Sequence, residues 1–124
     1  MSESVPFLIN VYGGFGVVTG LVRCQDDQLR FELQVKDSIV GALKGPIKTV
    51  DVPLSQVEDV ELKPGMGPVK ARLVIRVSDL KLLEEIPGEH GELRLLIQGR
   101  HRQAAERLAS SIQLRLSERE LQRL

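Results

Sequence analysis

A chain of 124 residues has the length of one domain and can bury a real core. Its 17 basic and 17 acidic side chains cancel, so it lacks the basic field of a general nucleic-acid binder, and aromatics at 3% are too few for base-stacking platforms. The single cysteine, Cys24, excludes an intrachain disulfide and a thiolate metal cluster, and with no apolar run near the roughly 20 residues of a membrane span and no basic n-region, the expectation is a soluble cytoplasmic domain.

Residues 1–13 form an apolar N-terminal segment. Within it Phe7, Leu8, Ile9, Val11 and Tyr12 are nearly continuous, with Asn10 as the polar break. Such a run fits a strand covered on both faces. One reading makes it an extra strand or extended segment against the chain's own core. The other makes those five residues an interface for a second protomer or a partner, and membrane insertion is a third. Gly13-Gly14-Phe15-Gly16 lacks the Lys-Ser/Thr of a phosphate-binding loop and precedes a strand, so a bulge or tight turn is expected.

Phe15–Cys24 reads as a strand. Gln25-Asp26-Asp27-Gln28 is a hairpin turn. Leu29–Val35 follows as the clearest strand, Leu29, Phe31, Leu33 and Val35 alternating with Arg30, Glu32 and Gln34. Thr49–Leu54 and Val57–Leu62 are further strands, with Val60 and Leu62 on one face of the second. In Val69–Val77 the residues Val69, Ala71, Leu73, Ile75 and Val77 alternate with Lys70, Arg72, Val74 and Arg76. Asp79–Ile86 is a short helical candidate, capped by Ser78 or Asp79 and stopped by Pro87-Gly88. Glu92–Gln98 is the last strand, with Leu93, Leu95 and Ile97 on one side. Over His101–Leu116, Ala105, Leu108, Ile112 and Leu116 recur at helical spacing. Beyond it, Ser117 and Glu120 suit a capping box for another turn, or else the helix runs on and frays towards Leu124. The order predicts a mainly β chain of about six antiparallel strands, curled and plugged by one C-terminal α-helix.

Three stretches carry a family resemblance. Val52-Pro53-Leu54-Ser55-Gln56-Val57-Glu58-Asp59-Val60-Glu61-Leu62 is similar to a segment common in bacterial pleckstrin-homology-like (PH-like) and GRAM-like domains. Leu73–Ile86, a strand with a short Leu-rich helix, and the helix start Arg100–Leu108 look alike too. The resemblance spans about Gly14 to Leu116. It implies a PH-like barrel of two packed antiparallel sheets capped by the helix over residues 14–116, with 117–124 as helix extension or frayed tail. Two departures stand out. The first hairpin turn is acidic where inositol-phosphate binders are basic, and the closing helix has no Trp. The fold carries over; phosphoinositide binding does not.

No catalytic constellation emerges. His90 lies in a turn and His101 between two arginines, and both read as surface residues. No metal-ligand spacing appears, so no metal or cofactor is expected. Cys24 lies beside acids that disfavour its thiolate and reads as an inert thiol. The neighbouring carboxylates Asp26/Asp27 and Glu84/Glu85 diverge in direction and suit turn chemistry or solvation. Arg100, His101 and Arg102, with Lys44 and Lys48, form a candidate anion site near a helix start, against the plainer reading of a solvated basic cluster. Arg72, Arg76 and Arg94 form a stripe if their strands adjoin, neutralised by Glu32, Glu58 and Glu92. Residues 1–64 carry a net charge of −3 and 65–124 of +3, which suits head-to-tail pairing or an ordinary mixed surface. The expected function is a non-enzymatic module that binds a protein partner or itself as a homo-oligomer. The alternative is peripheral binding of an anionic lipid or phosphorylated ligand.

Overall fold

The computed structural model describes residues 3–11, 16–37, 47–65, 69–79, 81, 86–88 and 91–122. Seven strands form one antiparallel sheet: β1 (Val5–Val11), β2 (Gly16–Gln25), β3 (Gln28–Asp37), β4 (Lys48–Pro53), β5 (Val57–Pro64), β6 (Val69–Val77) and β7 (Glu92–Gln98). Their order is β4-β3-β2-β1-β7-β6-β5. Helix α1 (Arg102–Gln122) follows β7. The mainly β architecture with one C-terminal helix is therefore present, with seven strands where about six were expected. The additional one is the apolar N-terminal run, and it is the middle strand of the sheet. Most of the expected helix Asp79–Ile86 lies outside the described residues. At its start the Lys81 N–H donates to Asp79 Oδ1 at 3.0 Å, and Ile86 at its end is fully buried.

The sheet is curled, and its connections require it. β4 and β5 are its two edges, yet only the 3-10 turn Leu54–Gln56 joins them. Laid flat, seven strands would hold those edges about 29 Å apart; a three-residue link spans roughly 14 Å at full stretch. Two backbone bonds tie this link into both arms: the Leu54 N–H donates to the Asp27 carbonyl at 2.9 Å, and the Ser78 N–H to the Gln56 carbonyl at 2.8 Å. No ladder joins β4 to β5 among the described residues, so the sheet is bent round without being closed.

Alternation decides which side chains fill the concave face. Phe7 and Ile9 from β1, Phe31 and Leu33 from β3, and Leu73 and Ile75 from β6 share one apolar cluster with Ala105, Leu108 and Ile112 of α1. Burial of each large aliphatic side chain stabilises the fold by about 1.5–3 kcal/mol. In β5 a bulge between Val57 and Asp59 shifts the register. One extra residue restores the parity, so Val57 joins Val60 inside although three positions separate them. Val74, on the outer face of β6, is also buried but stands apart from the cluster. The hairpin turn holds Asp26 at φ 49° and Asp27 at φ 61°, consecutive left-handed residues of a two-residue turn. Helix α1 packs chiefly on the edge strand β5, where the Gln113 side-chain amide donates to the Val60 carbonyl at 2.9 Å. It is continuous to Gln122, so the Ser117 position starts no separate turn.

Candidate functional site

The water-facing side of the central strands is unusually apolar. Outward positions alternate with the core set, so β1 presents Pro6, Leu8 and Asn10, and β2 presents Val17, Thr19 and Leu21. The register sets Pro6 against Leu21 and Leu8 against Thr19. Leu21 is 39% exposed; Leu8 and Leu96 are half-buried. Among the described residues β1 and β7 pair only at Leu8↔Leu96, and beside this thin seam lies a depression of about 150 Å³. Pro6, Leu8, Thr19, Leu96, Arg100 and His101 line it. The strands on either side carry polar groups on this face: Arg30, Glu32 and Gln34 on β3, and Glu92, Arg94 and Gln98 on β7.

The structure redistributes the residues singled out in the sequence. Phe7 and Ile9 are only 3% and 6% exposed, so neither is available to a partner. The Phe7 ring lies over Gly20 and meets Phe31 edge-on, centroids 6.1 Å apart. Because β1 is flanked by β2 and β7, its edge is not open to strand pairing either. Leu8 alone of the five faces outward among side chains the structure describes; Val11 ends β1, and Tyr12 lies outside the described residues.

The basic set does not converge. Arg100 turns its Nε to His101 Nε2 at 3.2 Å. Arg102 is bound to Glu106 one helical turn on, at 3.4 Å. Lys48 begins edge strand β4, four strands from β7, and has the parity of the core residues Val50 and Val52. Lys44 lies outside the described residues. Arg100 and His101 instead join Leu8 and Leu96 at one depression, which merges part of the two candidate sets. The Arg72, Arg76 and Arg94 stripe does form on adjoining strands. Glu92 sits within it, 3.5 Å from Arg76 and 3.5 Å from Arg94.

Surface ion pairs account for the shifted carboxyls. Hydrogen bonding from Arg107 holds Glu3 below the ordinary carboxylate range, and Arg30 does the same for Asp51. For Glu92 partial burial pushes upward, but Arg94 and Arg76 together bring the net shift down. Burial raises the Cys24 thiol, partly offset by Arg115, which keeps it protonated and unreactive at neutral pH. The Arg23 Nε is buried without a hydrogen-bond partner among the described residues. No described helix is long and apolar enough to cross a membrane, and the described residues hold no group of His, Cys, Asp and Glu able to bind a metal ion. No family model, curated protein or solved structure matches this chain.

Sequence reasoning named Leu8 but missed the other outward leucines, Leu21 and Leu96. Their signal was present: Leu96 breaks the in–out alternation of Leu93, Leu95 and Ile97, and Leu21 does so beside Val22.

Proposed function

We propose that this chain is a non-catalytic, cytoplasmic module of PH-like fold, bacterial as the resemblance implies, that self-associates through the outer face of β1, β2 and β7. The strand order, the short link between the sheet edges and the terminal helix support the PH-like reading. The observation that carries the interaction reading is the cluster Leu8, Leu21 and Leu96 on the solvent side of the central strands, where an antiparallel sheet ordinarily presents polar groups. A second copy presents the same leucines, so a two-fold axis through them buries this face against itself.

Sedimentation of the full chain over a concentration series tests this. The expected result is a mass that rises towards twice that of one chain, and a Leu8→Gln/Leu96→Gln variant that stays at one chain mass with an unchanged circular dichroism spectrum. A wild-type chain that remains monomeric throughout overturns the proposal. Salt-sensitive capture by phosphatidylserine vesicles, lost in Arg100→Gln, by a monomeric chain would put anionic-ligand binding in its place.

A further inference from the structure

On the other side of the molecule, an open groove of about 760 Å³ runs between the β2–β3 turn and α1. Cys24 and Leu108, both buried in the core cluster, form its floor. Asp26 and Asp27 of the turn form one wall, and Ser111, Leu114 and Glu118 of α1 the other. Two arginines reach into it, and both are committed. Arg107 grips Glu3 through two bonds of 2.8 and 2.9 Å, and Arg115 lies 3.4 Å from Asp27. The charges left over are negative: Asp26 and Glu118 make no ion pair among the described residues. Leu114 stands 62% exposed on the same wall.

We infer that this groove docks an extended basic segment of a protein partner, with an aliphatic side chain of that segment seated on Leu114. Charge complementarity selects the occupant: after its internal pairs are counted, the lining presents two carboxylates and no spare cation. The dimensions suit an extended peptide. From Arg107 to Glu118 the helical wall runs about 16 Å, the length of roughly five extended residues. The backbone of the turn wall is also fixed in place. Both turn residues hold left-handed backbone angles, and the Asp27 carbonyl is anchored by the Leu54 N–H, so little ordering of this wall is needed on binding. This surface is separate from the leucine face of β1, β2 and β7, and binding here does not depend on self-association.

Fluorescence anisotropy with the full chain tests it, using a labelled pentapeptide that alternates arginine and leucine and its glutamate–leucine counterpart. The arginine peptide is expected to bind, more weakly as salt rises, and the glutamate peptide not at all. Asp26→Asn with Glu118→Gln is expected to weaken binding on the order of tenfold, since each exposed charge contributes up to about a factor of five. Asparagine tolerates the left-handed turn position, so the fold is kept. Leu114→Ser weakens binding at high and low salt alike. The same loss of charge elsewhere, Glu32→Gln with Glu58→Gln, and the Leu8→Gln/Leu96→Gln variant leave it unchanged. Absence of binding at low salt, equal binding of both peptides, or equal losses from the groove and remote charge variants overturns the inference.

Discussion

Gly20 is where a single hydrogen atom decides packing. A Cβ there would stand 2.8 Å from Phe7 Cζ and closer still to the Glu32 carbonyl oxygen, a backbone group with little freedom to move. Gly20→Ala is therefore expected to lower stability by about 1–3 kcal/mol, read as a lower urea midpoint. Surface carboxylates set the acid limb. Asp51 and Glu3 are held below the ordinary carboxyl range by Arg30 and Arg107. A group whose pKa is lower folded than unfolded stabilises the fold above its unfolded value and loses that contribution as pH falls through the folded one. Stability should thus decline below about pH 4, and less steeply in Asp51→Asn, as urea midpoints across the acid range will show. An acid limb unchanged by that substitution would remove the Arg30–Asp51 pair from the account.

Helix α1 divides in two. Ala105, Leu108, Ala109 and Ile112 are buried, whereas Leu121 is 68% exposed. Ile112→Ala is expected to cost about 2–5 kcal/mol by opening a cavity, and Leu121→Ala within about 0.5 kcal/mol of nothing; thermal melts of the two variants give the comparison. The strands were most legible where they carry a period of two, above all Leu29–Val35 and Val69–Val77. The β5 bulge was not, since the residue that shifts its register is an ordinary exposed glutamate, Glu58. Nor does periodicity say that the Val5–Val11 run sits in the middle of the sheet. A strand covered on both faces and a strand with one face kept for a partner read alike in sequence.

The whole molecule has one core shared by two arms, β1–β4 and β5–β7, joined at the β1–β7 seam and again at the Leu54–Gln56 link. Residues from both arms and from α1 lie in the same apolar cluster, so unfolding should be a single cooperative transition. Native-state hydrogen exchange is expected to give the slowest amides of β2 and of β6 the same opening free energy. Exchange of β6 at a markedly lower free energy would mean that the arms do not depend on each other. Leu54, almost fully buried in the link, is the natural probe: Leu54→Ala should lower protection in both arms together.

The linear chain determined six of the seven strands and the C-terminal helix by itself, because alternation and helical spacing are local properties that burial rewards residue by residue. It also determined the acidic hairpin turn after Cys24. Neighbourhood was decided only in three dimensions. The strand order put Val5–Val11 at the centre, turned Phe7 and Ile9 inward, gathered Leu8, Leu96, Arg100 and His101 at one depression, and kept Lys48 away from them. The same curl brought Asp26 and Asp27 opposite Leu114 and Glu118, some ninety positions on. Contacts of that separation depend on which strands pair, and pairing is a property of the assembled sheet rather than of any segment within it.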